Sequence, residues 1–140
     1  MLRLRAPLAS DRGFTLIELL VIVLIVSILA LIALPTFLGQ RRKAQDLEAE
    51  AMVRTVAVAL AVRQTDKDSY EATKAELVAI EPAIGEASPD LVVDATEDAY
   101  EVTERSASAT TFTLARDADG NVTRTCSVPG QGRCGAGGSW

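Results

Sequence analysis

The chain has 140 residues, of which 49% are hydrophobic but only 4% aromatic, and its formal net charge is −5. This length allows one ordinary domain plus one additional segment. The uneven placement of apolar residues excludes a simple soluble globule, a collagen-like chain and a fully disordered chain. The sequence has no histidine, which excludes imidazole catalysis and zinc sites built on His.

Charge is also distributed unevenly along the chain. Residues 66–104 carry twelve acidic residues against two lysines, a local balance of −10. We interpret these acids as a solvated surface, and such a surface disfavours a nucleic-acid groove. Nucleic acid is therefore not expected as a partner. The alternative is a small basic patch formed by the arginines of the C-terminal part, Arg105, Arg116, Arg124 and Arg133.

An uncharged run of 20 residues extends from Leu19 to Leu38. As a helix it measures roughly 30 Å, the thickness of a bilayer core. A secretory signal peptide has a shorter apolar core and a small-residue cleavage site. The rest of the chain is too small to bury a helix that is apolar on all sides. We predict a retained membrane-spanning helix, whose orientation is left open because three basic residues flank each end.

Glu18 lies at the start of this apolar segment, in the sequence GFTLIELL. An ionised carboxylate in hydrocarbon costs at least a few kcal/mol, so Glu18 is a candidate functional residue that needs a partner. The nearest positive side chain before it is Arg12, six residues earlier. The alternative is a carboxylate that reaches the membrane edge without a specific role.

The stretch RGFTLIE at residues 12–18 resembles the processing site of type IV prepilins and pseudopilins. The resemblance implies that residues 1–13 are a leader, removed after Gly13 by a membrane aspartic peptidase, the prepilin peptidase. It also implies that the new N-terminal residue, Phe14, is N-methylated. In the family, Glu18 of an incoming subunit would meet the Phe14 α-amine of a neighbour. Such pairing repays much of the desolvation of two buried charges.

Pro35 is residue 22 of the mature chain that this cleavage would produce, and many type IV pilins carry a proline there. Proline removes a helical hydrogen bond and clashes with the preceding turn, so we predict a kink or local melting of the helix. Many pilins also have a glycine eight residues before that proline, where this chain has Ser27. Serine weakens a helix less than glycine does, which leaves the extent of melting open.

The helix is predicted to continue from the apolar segment to about Gln64. Its apolar face is expected to pack on the remainder of the chain, with neighbouring subunits as a further possible cover. The residues assigned to this face by their spacing are Ala44, Leu47, Ala51, Val58 and Val62, widened by Met52, Val56 and Leu60.

A small head domain is predicted after a polar break at residues 65–70. The Thr-x-x-Glu pattern at Thr73 and Glu76 has the form of a capping box and predicts a helix at about 74–80. Four strands are expected at 91–95, 99–104, 110–116 and 121–126. The sequence DADGN at 117–121 predicts a hairpin turn and lacks the later glutamate of an EF-hand calcium loop.

Cys126 and Cys134 are the only cysteines. An even count on the outer side of a membrane anchor favours a disulfide, and a redox or metal pair is the alternative. A C-terminal disulfide loop is also a feature of many type IV pilins. The final residues, GAGGSW, are expected to be a mobile tail. Neither a cofactor nor a metal is expected.

These observations predict an α+β, pilin-like fold, in which a long N-terminal α-helix packs on a small antiparallel β-sheet head and spans the membrane with its first half. The expected boundaries are a cleaved leader at 1–13, a transmembrane and filament-core helix at 14–38, and an amphipathic helix at 39–64. The head, with its C-terminal disulfide loop, follows at 65–140.

The resemblance implies a structural subunit of a type IV pilus or pilin-like filament, assembled through its N-terminal helix. The alternatives are a type II secretion pseudopilin, a minor pilin for DNA uptake or priming and, in a different class, a membrane-anchored enzyme with a carboxylate pair. The implied partners are further copies of the chain, the prepilin peptidase, an assembly ATPase and an inner-membrane platform protein. The expected location is the inner membrane, single-pass with the head outside the cytoplasm, and then an extracellular pilus or periplasmic pseudopilus.

Overall fold

The computed structural model describes residues 13–140, so that all of the expected leader except Gly13 lies outside the described residues, as does Arg12. Two α-helices, one short 3₁₀ helix and four strands follow one another along the chain. They are α1 (Leu16–Lys67), α2 (Lys74–Ile80), the 3₁₀ helix (Pro82–Glu86), β1 (Val92–Ala95), β2 (Tyr100–Arg105), β3 (Thr111–Arg116) and β4 (Val122–Cys126). The α+β fold class is confirmed. The chain divides into two compact units between Phe37 and Leu38.

The N-terminal unit contains the apolar part of α1. Its side chains are mostly aliphatic, and aliphatic side chains offer no polar group that competes for the backbone hydrogen bonds. The helix is continuous across Pro35, which itself has no N–H to donate. Two hydroxyls bond back to the preceding turn: Ser27 Oγ donates to the Val23 carbonyl at 2.7 Å, and Thr36 Oγ1 donates to the Ile32 carbonyl at 3.4 Å. Such bonds satisfy hydroxyls where no water or polar partner is at hand. A kink at Pro35 stays a prediction.

The second part of α1, from Leu38 onward, belongs to the head unit and contributes one face to its core. Val53, Val56 and Leu60 are fully buried there. They join a cluster with Leu77 of α2 and with apolar residues of the 3₁₀ helix and sheet, namely Ile84, Tyr100, Val102, Phe112 and Leu114. Fully burying each such aliphatic side chain contributes roughly 1.5–3 kcal/mol, so this helix face adds several kcal/mol to the stability of the head.

The prediction of which α1 residues pack on the head was largely wrong. Val56 and Leu60 are buried and Met52 packs against the core, but the other five residues of that set are exposed. The buried face lies further round the helix and includes two carboxylates, Asp46 and Glu50. A prediction that considers only apolar residues assigns a helix face with charged residues to the solvent. Here that face is buried because partners from the rest of the head satisfy the charges.

The four strands form one antiparallel sheet in the order β1-β2-β3-β4. Each strand was predicted to within one residue at either end. Alternation sets the register: Val102 pairs with Leu114, and both side chains face the core. The expected hairpin turn between β3 and β4 is confirmed, because Asp117 Oδ1 accepts the Asn121 N–H at 2.8 Å and Gly120 adopts a φ of 88°.

Helix α2 begins with the capping box expected from the sequence, and its bounds match the prediction. Thr73 Oγ1 accepts the Glu76 N–H, and Glu76 Oε2 accepts the Thr73 N–H at 2.8 Å. Glu76 also meets Arg63 of α1 at 2.7 Å. The backbone hydrogen bond from Thr73, followed by the bond from Arg63, lowers the pKa of Glu76 to about 2. One carboxylate therefore both caps α2 and ties it to α1.

The C-terminal residues do not form the mobile tail that their glycines suggest. The Trp140 ring packs edge-on against Phe112, with ring centroids 5.8 Å apart. Its indole N–H donates to the carbonyls of Thr113 and Thr125 at 3.2 and 2.9 Å. A large apolar ring with a satisfied donor gains more from burial than the short glycine segment loses in chain entropy.

Candidate processing and assembly site

The N-terminal junction is a short non-helical segment directly before α1. Gly13 and Phe14 precede the helix, and a side chain added at Gly13 would meet nothing within 4 Å. The Phe14 side chain is 66% exposed. A protease needs an accessible backbone outside regular structure, and the bond between these two residues has that environment.

Thr15 and Glu18 form a second capping box at the start of α1. Thr15 Oγ1 accepts the Glu18 N–H at 3.3 Å, and Glu18 Oε2 accepts the Thr15 hydroxyl at 3.1 Å and the Thr15 N–H at 3.4 Å. The sequence carries the signal, since Thr-x-x-Glu at 15–18 repeats the pattern at 73–76. This capping box was not predicted, although the same pattern at 73–76 predicted the start of α2. Glu18 therefore has uncharged partners within its own chain.

The charge of Glu18 has no counterpart among the described residues. The ion pairs within 4.0 Å in that part of the chain involve Glu50 and Glu76 only. Hydrogen bonds from Thr15 orient the carboxylate but do not neutralise it. A cation from outside residues 13–140, or a new one created by cleavage, is the group that this site can still accept.

The apolar half of α1 exposes its side chains along its whole length. From Leu16 to Leu38 the large apolar residues are between 45% and 81% exposed. Among the described residues, α1 is the helix with the length and composition to cross a membrane. A continuous apolar surface of this extent marks a segment that contacts lipid or other protein rather than water. The N-terminal helix thus suits single-pass membrane anchoring.

A charge network with two buried carboxylates, Asp46 and Glu50, joins α1 to the C-terminal loop. Arg133 donates to both carboxylate oxygens of Glu50, from Nε at 2.7 Å and from Nη2 at 3.0 Å. The Arg133 backbone N–H donates to Asp46 Oδ2 at 3.0 Å, and the Ser108 hydroxyl donates to Asp46 Oδ1. The hydrogen bonds from Arg133 to the Glu50 carboxylate, followed by the negative charge of Glu50, raise the pKa of Arg133. The sequence analysis missed the network, although two acids four residues apart beside an apolar face are a usable signal.

The disulfide between Cys126 and Cys134 places Arg133 in this network. It closes a loop with a sequence separation of eight, and Arg133 directly precedes its second cysteine. Gly132 has a φ of 57°, and a side chain there would collide with the Asp46 carboxylate. Only glycine suits that position. Residues 13–140 contain no group of three or more Cys, Asp or Glu placed to hold a metal ion.

Comparisons with known proteins agree with this arrangement. Residues 8–34 match the family model of the prokaryotic N-terminal methylation motif. The chain is 34% identical over 71 residues to the type IV wide pilus major component PilA4 of Thermus thermophilus, covering 51% of this chain and 54% of that protein. It is 35% identical over 68 residues to the ComG operon protein 3 homolog of Bacillus licheniformis, covering 49% of this chain and 70% of that protein.

A third relative is the type II secretion system core protein G of Pectobacterium carotovorum, 32% identical over 70 residues, or 50% of this chain and 45% of that protein. No solved structure matches the chain. The methylation motif, the exposed apolar helix and the sheet head define a pilin-like protein. The chain belongs to the family of type IV pilins, competence pilins and type II secretion pseudopilins. It spans about half the length of the PilA4 protein that it matches.

Proposed function

We propose that this protein is a structural subunit of a pilin-like filament and polymerises through the apolar half of α1. The observation that carries the proposal is the combination of that exposed apolar helix with a head that closes its own core. The apolar residues at the centre of the head are buried within one chain, whereas residues 16–38 need lipid before assembly and neighbouring helices after it. A subunit that is stored in a membrane and later extracted has these two properties.

The assembly charge is the second part of the proposal. Residues 1–13 form the leader, and removing it leaves an ammonium group on Phe14, four residues before Glu18. Glu18 of one subunit then pairs with the Phe14 amine of an adjacent subunit. Pairing them offsets much of the desolvation cost of each charge, and an unpaired partner costs roughly 3–5 kcal/mol. The pair therefore favours one axial register between neighbouring helices.

The proposed partners follow from this life cycle. A prepilin peptidase removes the leader and methylates Phe14, and an assembly ATPase with a platform protein drives extraction from the inner membrane. Residues 14–38 form the filament core, residues 39–64 connect it to the head, and the head lies outside the cytoplasm. The support is the match to the methylation motif and the accessible Gly13–Phe14 bond.

Mass spectrometry of the mature protein tests this proposal. We expect loss of residues 1–13 and one methyl group on the amine of Phe14. Replacing Gly13 by a bulky residue (Gly13→Val) is expected to leave the precursor uncut, while Gly39→Ala is a matched glycine change outside the junction. An intact Met1 terminus on protein recovered from filaments would contradict the proposal.

A second candidate function is a subunit of a periplasmic pseudopilus or of a competence filament. The relatives include a type II secretion core protein and a ComG protein, which favours both possibilities. Deleting the gene discriminates among them. A pilin deletion removes surface fibres, a pseudopilin deletion retains exported enzymes in the periplasm, and a competence deletion abolishes DNA uptake.

A further inference from the structure

Three consecutive basic residues follow the apolar run of α1. Arg41, Arg42 and Lys43 are all exposed, and they come directly after Leu38-Gly39-Gln40. At about 1.5 Å per residue, they lie roughly 4.5–7.5 Å beyond Leu38 along the helix. The headgroup layer outside a bilayer core is about 5–8 Å thick on each side. If Leu38 ends the hydrocarbon segment, these bases lie at headgroup level.

Two of these bases line a cavity in the head unit. The cavity has a volume of about 330 Å³, which is space for roughly ten water molecules. Leu38 and Ala107 are its apolar lining residues, and the others are Arg41, Arg42, Gln45 and Ser108. A cavity with an apolar rim and two guanidinium groups fits a ligand that is apolar on one side and anionic on the other.

The guanidinium groups are available for such a ligand. In the part of the chain that the structure describes, no carboxylate lies within 4.0 Å of Arg41 or Arg42. Asp46, the acid next along the helix, is occupied by Ser108 and by the Arg133 backbone. Arg42 Nη1 donates to Gln131 Oε1 at 3.2 Å, which orients the side chain, and within residues 13–140 its other N–H groups have no acceptor.

We propose that this cavity binds the phosphate of an anionic phospholipid, such as phosphatidylglycerol, from the leaflet next to Leu38. This inference rests on the proposed function, because it requires the apolar half of α1 to lie in a bilayer. Guanidinium groups bind phosphate with two parallel hydrogen bonds, which suits a lipid phosphodiester at the membrane surface. Binding there holds the head at a fixed height on the membrane until extraction breaks the contact.

Lipid selectivity of the full chain tests the inference. The protein is reconstituted into nanodiscs of phosphatidylcholine, and its association with spin-labelled phosphatidylglycerol and phosphatidylcholine is compared. Each base near the surface contributes about 1 kcal/mol, so two bases predict a preference of roughly 25-fold for the anionic lipid. The double variant Arg41→Gln/Arg42→Gln is expected to lose most of that preference. The matched control, Lys67→Gln/Arg105→Gln, removes the same charge elsewhere and is expected to retain it.

The possible outcomes separate this inference from the proposed function. A chain that inserts fully but shows equal association with both lipids overturns the lipid site and leaves the proposed function standing. A chain that does not insert into nanodiscs overturns both. An equal loss in the control variant shows a diffuse charge effect and contradicts the cavity. Binding of free glycerol phosphate as tight as binding of the lipid shows that the cavity does not require a membrane, which contradicts a membrane source.

Discussion

The two halves of α1 belong to one helix but face different surroundings. Residues 16–37 expose their large apolar side chains, and Glu18 is the single charged residue among them. Residues 38–67 bury one face in the head and place most of their charges in water, except for Asp46 and Glu50. Hydrophobicity alone does not show which part of a helix packs in the core of its own chain. The more apolar half is the exposed one, because its cover comes from outside the chain.

The two halves of α1 also differ in how their carboxylates, Glu18 and Glu50, are paired. Glu50 is 1% exposed and meets Arg133 with two hydrogen bonds in the same chain. Glu18 has only the N–H and hydroxyl groups of Thr15 as partners among the described residues. A buried acid with its own cation stabilises a single fold, whereas an acid without one is free to specify a neighbour.

The largest effect is expected from Glu18→Gln. Glutamine retains the capping-box geometry with Thr15 but removes the charge, so the helix start is preserved while the proposed ion pair is lost. We expect normal membrane insertion and processing, with filament incorporation reduced to a background level. Incorporation is measured by immunoblotting of sheared filaments.

Thr15→Val is the matched control for the charge. It removes the capping hydroxyl, costs about 1 kcal/mol of local helix stability and leaves the carboxylate in place. We expect this variant to assemble. If Thr15→Val failed and Glu18→Gln assembled, capping rather than charge would be the role of Glu18.

The charge network of the head predicts the next largest effect. Arg133→Gln removes the principal cation of the buried Glu50 and leaves only the longer contact with Arg54, and we expect a loss of about 2–3 kcal/mol in the free energy of unfolding. This is less than for a fully buried pair because the Arg133 side chain is 40% exposed. Urea unfolding in detergent, followed by the fluorescence of Trp140, measures it.

Arg54→Gln is the control for that variant. Arg54 Nη2 lies 3.6 Å from Glu50 Oε2, an oxygen that Arg133 also contacts, but the Arg54 side chain is 55% exposed. Its loss is expected to cost at most about 1 kcal/mol, including its contact with the Trp140 ring. Equal effects of the two substitutions would contradict the assignment of Arg133 as the principal partner.

Removing the disulfide tests the same loop from its other end. The variant Cys126→Ser/Cys134→Ser is expected to lose about 2–3 kcal/mol, the entropy of closing a loop of this length. Combined with Arg133→Gln, the loss is expected to be smaller than the sum, because both changes release the same segment from Asp46 and Glu50. Full additivity in the unfolding data would show that the disulfide does not position Arg133.

The smallest predicted effect is a pH dependence at α2. The pKa of Glu76 falls from 4.5 to about 2 in the folded protein, chiefly through the Thr73 backbone N–H. A depressed pKa means stability that is present above pH 4.5 and is lost as the pH falls from about 4.5 to about 2. Side-chain NMR titration should show Glu76 titrating well below the other carboxylates. An ordinary midpoint would argue against the capping box.

Local signals in the sequence were sufficient for much of the head. The Thr73 and Glu76 pattern predicted α2, and the alternation of Tyr100 and Val102 with polar residues predicted β2. The turn at 117–121 followed from its Asp and Gly residues. Each of these depends on interactions within a few residues, which a sequence displays directly.

Contacts between residues far apart in the sequence could not be predicted in the same way. The burial of Glu50 depends on Arg133, which is 83 residues away. The packing of Trp140 depends on the carbonyls of Thr113 and Thr125, which are brought side by side only when β3 and β4 pair. Without these partners, a charged helix face and a glycine-rich end are correctly expected to be exposed. Tertiary contacts reversed both expectations.

Glu18 is proposed to pair with a cation on a neighbouring copy. A cryo-electron microscopy map of the native filament, with side chains resolved, would show both groups. We expect the Glu18 carboxylate within about 4 Å of the Phe14 amine of an adjacent subunit, inside the helical core. A map that places Glu18 in solvent, or far from every N-terminus, would contradict it.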